Sequence, residues 1–111
     1  MTRIKLRLYF DGESWLGPGK IELLERIAEA GSIAAAGRGM NMSYKRAWDL
    51  VAEMNRIFGQ PVVIAQMGGK RGGGAALTDL GRELIARFRA IEASSAAAAE
   101  DEIAALENLR R

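Results

Sequence analysis

From Ile4 to Phe10 the chain alternates. Ile4, Leu6, Leu8 and Phe10 are apolar, and Lys5, Arg7 and Tyr9 stand between them, which is the period of two expected of a strand with one buried face. Asp11-Gly12 ends that strand, and from Gly17 the period lengthens. Ile21, Leu24, Ile27 and Ala28 fall on one side of a first helix. Pro18 suits its first turn, where a missing N–H has no helical partner to lose, and Gly31 can stop it in a left-handed conformation. Ser32 is placed to cap a second helix by accepting from a first-turn N–H. Ile33, Ala36 and Met40 supply that helix with a buried side. Its alanines, with Gly37 and Gly39, are small enough for another helix to cross closely. The two glycines each cost about 1 kcal/mol of helix propensity relative to alanine, so packing has to hold this segment.

Asn41 tolerates the left-handed backbone of a tight turn, Met42 can plug the angle between helices, and Ser43 caps a third helix running from about Ser43 to Phe58. Ala47, Val51, Met54 and Phe58 form its apolar stripe, with Trp48 read as core or core edge. Tyr44, Lys45, Arg46 and Asp49 crowd the other side of its first two turns. An isolated helix with such a face would be read as merely solvated. Here a small-residue helix and a tight turn precede it, and that order is a helix-turn-helix. The second helix of such a pair can lie in the DNA major groove, about 12 Å wide, with its first turn offering N–H groups and a positive dipole end to phosphate.

Pro61 to Met67 reads as a strand and Ala75 to Leu77 as its returning partner. Between them Gly68 to Gly74 holds five glycines around Lys70 and Arg71, a basic tip that can approach a phosphodiester or reach a minor groove, as the wing of a winged helix does. The spacing of a nucleotide phosphate loop is not met. Thr78 can cap a last helix carrying Leu80, Leu84, Phe88 and Ile91, then small residues from Ser94 to Ala99, then Ile103, Leu106 and Leu109. About 33 helical residues would span roughly 50 Å, longer than the body of so small a domain, so the far half needs a partner. A second copy is the simplest one, giving a homodimer whose recognition helices lie about one DNA turn or a multiple apart. The expected fold is therefore mainly α with a small β component: a winged helix-turn-helix DNA-binding domain over 1–78 and a C-terminal dimerisation helix over 79–111.

Composition narrows the chemistry. The 111 residues contain neither cysteine nor histidine, which removes disulfides, thiolate ligands and the commonest general base. No catalytic triad or metal-ligand set can be assembled, so neither an enzyme nor a cofactor is expected. No apolar run reaches the roughly 18 residues of a membrane span, and a cytoplasmic location is expected. The formal net charge of +2 is unevenly spread: residues 1–89 carry +5 and residues 90–111 carry −3. The first part suits a polyanion, the second solvent or a partner subunit. Double-stranded DNA is the expected partner, with Ser32, Ser43, Tyr44, Lys45, Arg46, Asp49, Lys70 and Arg71 as its candidate contacts. The reading set against this one is a winged helix that docks another protein without binding DNA.

Four segments carry a resemblance: Leu16-Gly17-Pro18-Gly19-Lys20-Ile21-Glu22-Leu23-Leu24, Gly31-Ser32-Ile33, Met42-Ser43-Tyr44-Lys45-Arg46-Ala47-Trp48, and Gly68 to Ala75 followed by Leu77-Thr78. Together they resemble the N-terminal DNA-binding domain of the ModE-type molybdate-responsive transcriptional regulators over about residues 4–92, with a looser likeness to LysR-type regulators. The resemblance implies a winged helix-turn-helix dimer that binds an operator through Ser43, Tyr44, Lys45, Arg46, Lys70 and Arg71. Gly37 and Gly39 depart from the alanine-like residues this family tends to carry there. The family's C-terminal molybdate-binding domains have no counterpart among these 111 residues, so molybdate responsiveness is not carried over.

Overall fold

The computed structural model describes residues 2–66 and 74–110. Its first element is shorter than the alternation predicts. Only β1 (Leu8–Tyr9) pairs, antiparallel to β2 (Trp15–Leu16), with Leu8 opposite Leu16 and Tyr9 opposite Trp15. The chain reverses through Ser14 N–H to Asp11 O (2.8 Å), with Gly12 at φ 52°, and the partner strand gives way to a helix at Pro18, so the ladder stays short. Leu6 and Leu8 do pack against the core, whereas Phe10 is exposed and meets Phe58 edge-on at 5.6 Å.

Helix α1 (Pro18–Ala30) begins with Pro18 in its first turn and ends at Gly31, φ 72°, whose N–H returns to Ile27 O. Its buried side is Lys20, Ile21, Leu23, Leu24 and Ile27. Ala28, expected among them, is exposed, because the buried side centres on Lys20, Leu23, Leu24 and Ile27 and leaves Ala28 at its edge. Helix α2 (Ile33–Gly39) is capped by Ser32, whose Oγ accepts from Ala35 N–H, and buries Ile33, Ala36 and Gly37, with Met40 only half-buried. Helix α3 (Tyr44–Phe58) buries Ala47, Leu50, Val51 and Met54, while Phe58 packs at the core's margin.

Strands β3 (Val63–Gln66) and β4 (Gly74–Leu77) form an antiparallel hairpin in the register Val63 to Leu77 through Gln66 to Gly74. Ala75 N–H donates to Gly31 O at 2.8 Å, which ties the hairpin to the α1–α2 corner. At its base Thr78 N–H donates to Val62 O and Thr78 Oγ1 donates to Pro61 O, while the same Oγ1 accepts from Gly81 N–H to cap the next helix.

The last helix is two. Helix α4 (Asp79–Ala98) and helix α5 (Glu100–Leu109) meet at Ala99, φ −96° and ψ 3°, where the sequence reading expects one continuous helix. Ala99 N–H still bonds Ser95 O and Ile103 N–H still bonds Ala99 O, so the ladder continues past the joint. Glu100, Asp101 and Glu102 then occupy a first turn, where a helix dipole favours acidic side chains. Helix α4 buries Gly81, Leu84 and Phe88 and is clamped to α1 by Arg89, whose Nη2 and Nε donate to the two Glu25 oxygens at 2.7 and 3.1 Å. That paired geometry, with Glu92 on Nη1, holds the guanidinium proton more tightly than usual. Helix α5 buries nothing. Leu16, Ile21, Leu24, Ile33, Ala47, Met54, Val62, Leu77 and Phe88 form one buried core, with Leu8 of β1 and Val63 of β3 packed at its margin and nothing from α5.

Candidate nucleic-acid interface

The turn between α2 and α3 follows from two small residues and one left-handed one. Asn41 has φ 58° and is the one described non-glycine residue with a positive φ. Met40 N–H and Met42 N–H both donate to Gly37 O at 3.0 Å, closing the corner. A methyl group on Gly37 would stand 3.1 Å from Ala47 Cβ, so glycine facing alanine is what lets the two helices cross this closely. Met42, as expected of a plug, is half-buried against the core.

Helix α3 then starts on Ser43, whose Oγ accepts from Arg46 N–H at 3.0 Å. With Ala47, Leu50, Val51 and Met54 turned inward, four of the candidate contacts are turned outward: Tyr44, Lys45, Arg46 and Asp49 are all exposed. Lys45 Nζ pairs with Asp49 Oδ2 at 2.9 Å, one turn on, so part of the positive charge of this face is already met within the helix. Ser32 lies half-buried at the start of α2, its Oγ occupied as a cap. Lys70 and Arg71 lie outside the described residues.

Ser32 and Tyr44, twelve residues apart in the chain, line one cleft of about 310 Å³ between the start of α2, the flank of α3 and the β3–β4 hairpin. Trp48, Val51 and Ile64 line it too. Trp48 corrects the sequence reading: it is 43% exposed and not a core residue. Its Nε1 donates to Tyr44 Oη at 2.6 Å. The signal was available, because residues four apart share a helix side and Tyr44 was already placed outward.

On the other flank of α3, Glu53 reaches Lys20 of α1, and Arg46 lies close enough to that ammonium to repel it. Lys20 was missed as a structural residue; nothing in its sequence position marks a buried lysine. Among the described residues no group of three or more acidic side chains is placed to hold a metal ion, and no helix is long and apolar enough to cross a membrane.

Residues 19–82 match the family described as bacterial regulatory helix-turn-helix protein, lysR family. The chain is 51% identical over 81 residues to the molybdenum-pterin-binding protein MopB of Rhodobacter capsulatus, covering 73% of this chain and 30% of that protein. It is 42% identical over 84 residues to the DNA-binding transcriptional dual regulator ModE of Escherichia coli strain K12, covering 76% of this chain and 32% of that protein. The chain thus spans about a third of the length of the curated relatives it matches. Its fold is similar to that in the crystal structure of the CbnR_DBD–DNA complex, at 20% identity and a TM-score of 0.60, covering 79% of this chain and 95% of that one. The winged helix-turn-helix architecture expected from the sequence is the one found.

Proposed function

Because this chain belongs to the lysR family of bacterial regulatory helix-turn-helix proteins, we propose that it is the sequence-specific, double-stranded-DNA-binding part of a transcriptional regulator of the ModE type. The observation that carries the reading is the outward edge of α3. A Ser43-capped helix start with Tyr44, Lys45, Arg46 and Asp49 exposed stands free of the core and beside the β3–β4 hairpin. Such an end offers N–H groups and a positive dipole terminus toward a polyanion while its side chains face the bases.

In this reading α3 enters the major groove, Ser32 and Ser43 position the backbone, Tyr44, Lys45, Arg46 and Asp49 face the base edges and nearby phosphates, and Lys70 and Arg71 touch the adjacent backbone or minor groove. Residues 1–78 form the DNA-binding unit. Residues 79–111 join two copies, their support being Ile91, Leu106 and Leu109, apolar and exposed along α4 and α5. A protein acting on DNA in this way works in the cytoplasm. The name of the Rhodobacter capsulatus relative ties that protein to a molybdenum pterin; the proposal for this chain concerns DNA binding alone.

The test is a binding titration against duplexes selected from a random pool, repeated across ionic strength. Each phosphate contact lowers the slope of log K against log salt by about 0.9, so a protein gripping several phosphates shows a steep negative slope. A slope near zero, or equal affinity for selected and scrambled duplexes, would reject the reading.

A further inference from the structure

The indole of Trp48 and the phenol of Tyr44 sit side by side on the exposed flank of α3, 43% and 55% accessible, joined by the 2.6 Å hydrogen bond from Trp48 Nε1 to Tyr44 Oη. An indole has one donor and no acceptor, so this bond uses all of its polar capacity. What Trp48 then offers a ligand is hydrocarbon and ring face only. The Tyr44 hydroxyl, having accepted one bond, keeps its own proton to give. The pair therefore presents an apolar face and one O–H donor, and the cleft it lines is continued on the hairpin side by Ile64, also exposed.

The four base edges of the major groove differ in what they ask of a protein. Guanine shows two acceptors, cytosine an amino donor, adenine an acceptor beside an amino donor, and thymine one acceptor, O4, beside a methyl group. Only the last matches one donor next to an apolar face. An adenine or cytosine amino group pressed against the indole would lose its water without finding an acceptor, and a buried polar group left so is costly. The neighbouring charges do not alter the match, since Lys45 and Asp49 are engaged with each other on the adjacent stripe.

We propose, resting on the DNA-binding reading above, that Tyr44 and Trp48 form a thymine-reading face, in which the 5-methyl group packs on the Trp48 ring and O4 accepts from the Tyr44 hydroxyl. Neither the acidic tail nor the basic residues take part in this recognition, which makes it separable from phosphate contacts.

The experiment replaces thymine with deoxyuridine, strand by strand, in a duplex selected from a random pool by the unaltered chain. Deoxyuridine keeps O4 and lacks the methyl group. The expected result is a loss of about threefold to fourfold in affinity per contacted methyl, with the salt slope unchanged. The loss should vanish in Trp48→Ala and persist in Tyr44→Phe, which keeps both rings. Equal binding of thymine and deoxyuridine duplexes, with steep salt dependence intact, overturns the thymine-reading face and leaves DNA binding standing. An undiminished deoxyuridine effect in Trp48→Ala assigns the methyl contact to another residue and overturns the proposal as well. Absence of any salt-dependent binding overturns both this proposal and the function it rests on.

Discussion

Lys20 Nζ lies 3.1 Å from Glu53 Oε1 across the interface between α1 and α3, with the lysine side chain 1% exposed. The same ammonium donates to Trp15 O at 2.8 Å and stands 3.7 Å over the Trp15 ring, which Arg7 also overlies at 3.8 Å. This cluster links the N-terminal hairpin, the first helix and the middle of α3. Taking one partner from a fully buried ion pair costs about 3–5 kcal/mol. Glu53 is half-buried, so water recovers part of that, and Glu53→Gln is expected to cost about 1–2 kcal/mol of unfolding free energy, read by urea denaturation. A variant as stable as the parent would show that the pair does not hold α3.

Burial pushes the Lys20 ammonium below the usual lysine value of 10.5, against the opposing pull of the Glu53 hydrogen bond and charge. Between the lowered folded value and 10.5 the unfolded chain holds a proton that the folded chain has released. This residue's contribution to stability therefore rises with pH across that alkaline window. Lys20→Met removes the effect, so the stability difference between parent and variant should shift in the parent's favour as pH approaches 10.5. A difference that stays constant from neutral pH upward would contradict it.

Two helical glycines should respond oppositely to alanine. At Gly81 an added Cβ would come within 2.4 Å of Val62 O, the same carbonyl that accepts from Thr78 N–H. That carbonyl belongs to the backbone and cannot swing aside as a side chain would, so Gly81→Ala is expected to destabilise by about 1–3 kcal/mol. At Gly39 the nearest neighbours of the new methyl all belong to Arg26, an exposed and flexible side chain with room to swing aside. Gly39→Ala should be neutral or stabilising by up to about 1 kcal/mol, the propensity gain. Thermal melts of the two variants give the comparison.

Asp49 answers Lys45 on the face proposed to meet DNA. Removing that carboxylate frees a cation and lowers repulsion of phosphate. Asp49→Asn should therefore bind random-sequence duplex up to about fivefold more tightly at low salt, with the gain fading as salt rises. Ser43→Ala, by contrast, should cost about 1 kcal/mol of stability through loss of the cap and weaken binding to every duplex alike. Weaker binding of Asp49→Asn would place the carboxylate in direct base contact.

Leu109 is 76% exposed at the end of α5, and Leu106 precedes it by one turn. If these residues join two copies, the parent should sediment as a dimer and the double variant Leu106→Glu, Leu109→Glu as a monomer with unchanged helix content by circular dichroism. A parent that is monomeric at micromolar concentration would remove the dimer from the proposed function.

The helix-turn-helix was legible because its signals are local. A serine or threonine cap before a helix, a glycine or asparagine where φ turns positive, and an apolar residue every three or four positions act within one turn of chain, and the structure uses Ser32, Gly31, Asn41, Ser43 and Thr78 as those signals imply. The outward set Tyr44, Lys45, Arg46 and Asp49 was legible for the same reason. Trp48 was misread because its size and its place beside the apolar stripe favour burial, although Tyr44, four residues earlier on the same side of the helix, already faces outward. The N-terminal strand was over-extended because alternation says which side of a strand is apolar and nothing about how far a partner runs alongside it.

By itself, then, the order of residues determined where helices begin and stop, which side of each is apolar, and that a polar, partly basic edge opens the third helix, since these depend on contacts within a few positions. Only the tertiary structure decided that Lys20 is buried with Glu53, that Gly81 must be glycine beneath Val62, and that Ser32, Tyr44, Trp48 and Ile64 share one cleft. Those relationships join segments far apart in the chain, and they exist because close packing around one core leaves each side chain a single set of neighbours.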